Sequence, residues 1–188
     1  SGVIAGQPGD AMNIMITGND NKTGKLFVSG EATGIGWGAY EGGDGANGMM
    51  TYGGGDLKNF PIEVQEHRFP IRINEYCLRT DSGGKGRWRG GLGLVRKYEI
   101  LQDSKLSTWF ERTKTTGRGL FGGKNGKGAE VVVEEPKGKK WNALKCADVH
   151  IPAGTKITIK TGGGGGFGSP TKRSQDALNE DKKQGYIS

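Results

Sequence analysis

Glycine falls in this chain in dense clusters, and the clusters limit what the chain can fold into. GIGWGAYEGGDGANG, DSGGKGRWRGGLG, GLFGGKNGKG and GGGGGFGSP stand between short apolar runs. Of the 188 residues, 37 are glycine, against about 7% in an ordinary soluble chain. Glycine gives up more backbone entropy on ordering than any other residue, so each cluster needs a structural reason. The glycines keep no three-residue period, which excludes a collagen triple helix. Between the clusters the apolar residues tend to alternate, the period of a half-buried strand. The expected fold class is therefore mainly β: a β-rich α+β chain of antiparallel sheets with long glycine-rich loops and a short C-terminal helix.

The strands are legible one by one. MNIMIT (residues 12–17) and LFVS (residues 26–29) flank a polar turn and read as a hairpin. Ile71, Ile73 and Cys77 are broadly in register over residues 71–79, with an irregularity expected near Glu75. Cys77 is then expected as a buried small hydrophobe. Leu92, Leu94, Tyr98 and Ile100 alternate clearly, with Arg96 as the polar exception. Leu106, Thr108 and Phe110 follow, and residues 131–133 and 157–159 supply two more strands. NFPIEVQEHRF (residues 59–69) reads as a short helix, with Pro61 at its first position and Asn59 or Phe60 as its cap. Glu63 and His67 then share a face, with Glu66 adjacent. A closing helix is capped by Ser174, carries Asp176 in its first turn and ends before Gly185. Residues 30–55 show no usable periodicity and are too long for an idle turn. Trp37, Tyr40 and Tyr52 predict that this stretch is ordered and packs on something.

A net charge of +7 with a pI near 9.4 suits nucleic acid, an anionic surface or an anionic substrate. The cations are scattered, not stacked in one run, which favours a solvated surface or an acidic partner chain. Cys77 and Cys146 fit neither a zinc ribbon nor a secreted disulfide framework. With no signal peptide and no long apolar run, the expected location is the cytoplasm.

Three glycine-rich segments are candidates for chemistry. In residues 81–93, successive amides can form an anion nest and Arg87 and Arg89 can clamp a carboxylate or phosphate. The competing structural reading is a long hairpin loop whose arginines pair with a neighbouring chain. GGGGGFGSP precedes a helix, as phosphate cradles do, yet neither it nor GLFGGKNGKG has the Lys-Ser or Lys-Thr of a P-loop. No βαβ unit surrounds either segment, so neither is a dinucleotide fingerprint. In the long loop, Asp44 and Asn47 are able to bind an ion or simply to shape turns. His67 and His150 do not lie at metal-ligand spacing from other strong ligands. Glu63 and Glu66 suit acid–base work, or hold neighbouring loops by accepting amide hydrogen bonds.

Taken in order, AGQPGDAMN (residues 5–13), GIGWGAYEGGDGANG (34–48), NFPIEVQE (59–66), YCLRTDSGGKGRWRGGLGL (76–94), GLFGGKNG (119–126) and GGGGGFGSPTKR (162–173) resemble the C-terminal third of the hydantoinase B/oxoprolinase family. The resemblance implies that residues 1–188 are a single β-rich unit, the C-terminal portion of a B-type subunit. It implies an ATP-dependent cyclic amide hydrolase in which a partner A-type subunit, carrying ATP and Mg, phosphorylates the substrate. The alternative from the same family is an ATP-dependent ketone carboxylase of the acetophenone or acetone type. Further alternatives are a structural scaffold subunit and, more remotely, an RNA-binding module suggested by the RWRGG stretch. The expected partners are the A-type chain and the N-terminal portion of a B-type subunit in a hetero-oligomer, with no membrane and no nucleic acid. Zn or another divalent metal is expected in that N-terminal portion and no complete metal site in this chain. The site residues implied are Asn59, Glu63 and Glu66 at the active cleft, with Asp81, Ser82, Gly83, Gly84, Arg87 and Arg89 as an anion-tolerant loop. Gly162, Gly163, Gly164, Gly165 and Gly166 are expected to pack against that loop or the partner chain.

Overall fold

A computed structural model describes residues 2–51, 54 and 58–188. Its strands, in chain order, are β1 (Asn13–Asn19), β2 (Leu26–Ala32), β3 (Ile71–Leu78), β4 (Leu94–Ile100), β5 (Ser104–Trp109), β6 (Glu130–Glu134), β7 (Lys140–Asn142), β8 (Lys145–Ile151) and β9 (Lys156–Lys160). They form two antiparallel sheets, ordered β2-β1-β5-β8 and β3-β4-β9-β6-β7. The expected hairpin is present, paired in register from Asn13 with Ala32 to Asn19 with Leu26. Ile14, Ile16, Phe27 and Leu106 of the first sheet meet Ile71, Ile73, Tyr98, Ile100, Val131, Val133, Ile157 and Ile159 of the second in one core. Burying a side chain of this size contributes about 1.5–3 kcal/mol, and the alternation read in the sequence comes from this shared inner surface.

The irregularity expected near Glu75 is a bulge, where the β3–β4 register shifts between Ile73 and Glu75. One extra residue reverses the phase of everything after it. Cys77 is consequently exposed, not buried as its position in the run suggested. Tyr76 takes a half-buried place, where it lies against the Arg96 guanidinium at 4.6 Å. The strands β7 and β8 went unread because their apolar content is thin. In β8, KCADVHI, Ile151 is the single fully buried residue.

The first helix, α1 (Ile62–Arg68), begins one residue later than expected. Pro61 has an extended backbone (φ −54°, ψ 138°) and is itself the N-cap, without a side-chain cap bond, so neither Asn59 nor Phe60 has that role. The closing helix, α2 (Gln175–Lys183), matches its sequence signals: Ser174 Oγ accepts the Ala177 N–H at 3.3 Å and Gly185 has φ +70°. Removing that cap with Ser174→Ala is expected to cost about 1 kcal/mol, visible as a lower urea midpoint with an unchanged denaturation slope.

The glycine clusters converge on one another. Residues 162–166 run through the middle and bond in several directions. Gly163, Gly164, Gly165 and Gly166 donate their N–H groups to Lys127 O, Gly91 O, Gly6 O and Lys124 O, at 2.8–3.0 Å. In return, Gly36, Ala39, Gly84 and Leu120 donate to the carbonyls of Gly162, Gly165, Gly164 and Gly166. The bonds radiate from the segment to different neighbours, whereas those of a strand lie in one plane. Backbones pack here where side chains normally would. A Cβ on Gly164 would lie 1.8 Å from Trp37 O, and one on Gly36 would lie 1.9 Å from Gly91 O. Neither residue has a left-handed φ, so the requirement is for space and not for unusual dihedrals. Trp37 is ordered, its Nε1 donating to Met50 O at 2.7 Å, whereas Tyr40 is 47% exposed. Tyr52 lies outside the described residues.

Candidate functional site

Two polar clusters are built into this frame. The first lies between β2, β4 and α1. Arg96 points inward from β4 and is fully buried. Its Nη1 sits 2.5 Å from Glu31 Oε2, in ion-pair contact though out of hydrogen-bond alignment, and its Nε has no hydrogen-bond partner among the described residues. The guanidinium lies 4.6 Å from the ring of Tyr76 and 5.2 Å from that of Tyr98, contacts favoured by the negative faces of the rings. Glu31 also accepts from Tyr98 Oη at 3.2 Å and from Gln65 Nε2 at 3.3 Å. Burial pushes the Tyr98 phenol well above its ordinary range, with Arg96 opposing and Glu31 adding to the rise. Tyr76 shifts in the same direction, again chiefly through burial. A cleft of about 190 Å³ opens beside the cluster, walled by Val28, Gly30 and Glu31 of β2 and by Phe60, Val64 and Gln65.

The second cluster joins the long loop, the 81–93 loop and α2. Arg89 Nε meets Asp181 Oδ1 at 3.2 Å, and Arg173 Nη2 meets Asp181 Oδ2 at 2.6 Å. Arg173 also grips both oxygens of Asp44 at 2.8 Å, while the Arg89 N–H donates to Asp44 Oδ1. Asn47 Oδ1 accepts from Arg89 Nη1 and from the Leu92 N–H. The carboxylate that Arg89 clamps is thus the chain's own Asp181. Two arginines face two aspartates, and a cleft of about 150 Å³ borders them, lined by Asp81, Lys85 and Leu178 among others.

Burial alone would raise the pKa of Asp44, but the Arg173 side chain and the Arg89 amide outweigh it and hold the carboxyl below its ordinary value of 3.8. A carboxylate depressed in the folded state stabilises fully above its unfolded pKa. That stability disappears as pH falls through the lower folded value. Asp44→Asn is therefore expected to lower the denaturation midpoint near neutral pH. The gap to the unsubstituted protein should close below about pH 4. A gap constant down to acid pH would contradict this.

The remaining residues singled out in the sequence have definite places. Glu66 Oε1 accepts the Ile73 N–H at 2.7 Å, bracing the start of β3, and Asn59 hydrogen-bonds the Tyr76 side chain. Glu63 is exposed on α1. Ser82 is fully buried, donating to Arg79 O and accepting the Gly93 N–H at 2.9 Å. Gly83 packs against Gly90, and Gly84 donates to Gly164 O. Asp81 accepts the Ser188 N–H at 3.2 Å, and Arg87 lies exposed over the Trp88 ring at 4.5 Å. The amides of 163–166 are engaged within the chain and form no open nest. Asp44 and Asn47 are occupied by the arginines. Among the described residues, no group of three or more His, Cys, Asp or Glu is placed to hold a metal ion, and no helix is long and apolar enough to cross a membrane.

The sequence and the fold both have counterparts among known proteins. The family model for Hydantoinase B/oxoprolinase matches residues 1–170. The chain belongs to this family. It is 36% identical over 159 residues to 5-oxoprolinase 1 of Arabidopsis thaliana, matching 84% of this chain and 12% of that protein. It is 32% identical over 185 residues to the 5-oxoprolinase of Saccharomyces cerevisiae, matching 88% of this chain and 14% of that one. Among solved structures, the ATP-dependent caprolactamase of Pseudomonas jessenii superposes with a TM-score of 0.77 at 24% identity, covering 99% of this chain and 34% of that one. Nucleotide-free acetone carboxylase superposes with a TM-score of 0.76 at 17% identity, covering 97% and 29%. At those identities the two structures show a shared fold. The chain spans about a third or less of the length of each of these proteins.

Proposed function

We propose that this chain is the C-terminal, β-rich portion of a B-type subunit in an ATP-dependent cyclic amide hydrolase of the hydantoinase/oxoprolinase kind. The observation that carries this reading is the family match over residues 1–170, and the identity to 5-oxoprolinase 1 favours hydrolysis of a cyclic amide. A resonance-stabilised amide is a poor electrophile until its oxygen is activated. The amides of 163–166 are engaged within the chain, which accords with what the family resemblance implies, that ATP and Mg belong to a partner A-type subunit. A divalent metal, where one is used, belongs to the N-terminal portion of the B-type architecture. The location proposed is the cytoplasm and the assembly a hetero-oligomer.

Within this reading, the cleft between β2 and α1 is the part of the active region that this chain supplies. Asn59 and Glu66 act as braces, through Tyr76 and the Ile73 amide. Glu63 is exposed on α1, outside the wall of that cleft, and we assign it to the surface that meets substrate or partner. The 81–89 loop, with Ser82, Gly83, Gly84 and Arg89, keeps the glycine segments in register, and Asp81 and Arg87 border its outer surface. The similarity to acetone carboxylase supports a second reading, in which the activated group is the enol of a ketone and the product a carboxylate.

The test is purification of the native protein with every co-eluting chain identified by mass spectrometry, followed by assay of substrate-dependent ATP hydrolysis. Stimulation by a cyclic amide is expected. Stimulation only by a ketone with bicarbonate selects the second reading. Absence of a partner ATPase and of any stimulated turnover overturns both.

A further inference from the structure

A turn on the surface of the glycine bundle carries a residue that the fold itself does not favour. Gly123 N donates to Leu120 O at 2.9 Å, closing a four-residue turn. Its two central residues, Phe121 and Gly122, have φ of +51° and +93°. A turn with positive φ at both central positions is ordinarily built from Asn, Asp and Gly. An aromatic side chain at the first of these positions is strained, and observed strain of this kind points towards function.

The Phe121 ring is held in place without being covered. It packs on Phe167 at 4.9 Å, and Trp88 lies 5.7 Å from the same Phe167 ring, yet Phe121 remains 69% exposed. Its support is rigid, because Leu120 N donates to Gly166 O and Gly168 N donates to Leu120 O. The chain on either side of the turn is cationic. Residues 112–128 contain Arg112, Lys114, Arg118, Lys124 and Lys127 and no acidic residue. The backbones of Lys85 and Arg87, both exposed residues, run beside the same turn through the Lys124 N–H to Lys85 O bond and the Arg87 N–H to Gly168 O bond. A ring this exposed on a held turn suits insertion into another surface. An exposed aromatic held on a rigid turn is the usual anchor of a binding hot spot, and the positive charge of the flanking chain specifies an acidic counterpart.

We propose that Phe121 is a docking anchor that enters an apolar pocket with an acidic rim on a partner polypeptide. This rests on the hetero-oligomer reading above and adds the place and chemistry of the contact. The test exploits the strained backbone. Phe121→Gly removes the ring but suits the positive φ, so the fold survives and the melting temperature stays level or rises. In the native assembly, F121G is expected to weaken retention of the partner chain at least about tenfold in quantitative co-elution. Lys124→Glu should weaken it as well, and rising salt should release the partner from the unsubstituted protein. A photoreactive phenylalanine analogue at position 121 should cross-link to that partner beside acidic residues. Full retention in F121G overturns the anchor while leaving the assembly reading intact, as does a cross-link to a second copy of this chain. A native preparation holding no partner chain overturns both.

Discussion

Gly164→Ala is expected to leave no folded protein. The new methyl would sit 1.8 Å from Trp37 O and within 2.2 Å of its carbonyl carbon, well inside contact distance. No flexible side chain is available to yield, because the atoms in the way are backbone. Moving residue 37 breaks the Gly91 N–H to Trp37 O bond, and moving residue 164 breaks its bonds to Gly91 and Gly84. The cost exceeds the roughly 4–5 kcal/mol that marks exceptional substitutions, against a total stability of about 5–15 kcal/mol for a domain. The check is soluble yield and the unfolding midpoint, with Gly30→Ala as control. A Cβ on Gly30 meets nothing within 4 Å, so that variant should stay within about 0.5 kcal/mol of the parent. A folded G164A protein with an unchanged midpoint would refute backbone packing as the reason for the cluster.

The second large effect is expected at Arg96. Substitution by methionine keeps bulk but leaves Glu31, whose side chain is 11% exposed, without its cation. Breaking a buried pair from one side costs about 3–5 kcal/mol, whereas replacing both partners by apolar groups is often neutral or better. Arg96→Met alone should therefore destabilise strongly, and Arg96→Met with Glu31→Leu should recover most of the loss. Urea titration of the two variants separates these outcomes. If the double variant is as unstable as the single one, the cost lies in packing and not in an orphaned charge. The double variant also tests the cleft beside β2. Restored stability without restored turnover would mean that the pair serves the reaction and not only the fold.

The strands that face the shared core were legible because burial imposes a period of two on them. The exceptions to that period carried most of the functional information. Arg96 interrupts the alternation of β4 because it points into the core to meet Glu31, a distant partner on β2 whose position no local pattern announces. Cys77 was misplaced because a single bulge reverses the faces of β3, and the sequence near Glu75 signals an irregularity without stating its consequence. The glycine clusters were visible, but their density is equally consistent with backbone approaching a ligand and with backbone approaching backbone. Only the convergence of segments far apart in the chain decides between these. The Arg89–Asp181 and Arg173–Asp44 pairs span 92 and 129 residues, and nothing local in the sequence links their members.

The position of residues 162–166 along the chain also sets the order in which the molecule can be made. A ribosome adds roughly 5–20 residues each second, and segments ordinarily settle as they emerge. Here the central segment of the glycine bundle follows almost all of its neighbours, which come from as early as Gly6 and Gly36. Until residue 166 has left the exit tunnel, those earlier segments lack the central segment of backbone that their carbonyls and amides bond to. The second sheet is in the same position, because β9 lies between β4 and β6. Translation of this chain therefore passes through an interval in which the partners of β9 and of residues 162–166 are unpaired, followed by closure of many distant contacts together. That interval, more than any weakness of the finished structure, is where a chaperone or an already folded partner chain would have the greatest influence on yield.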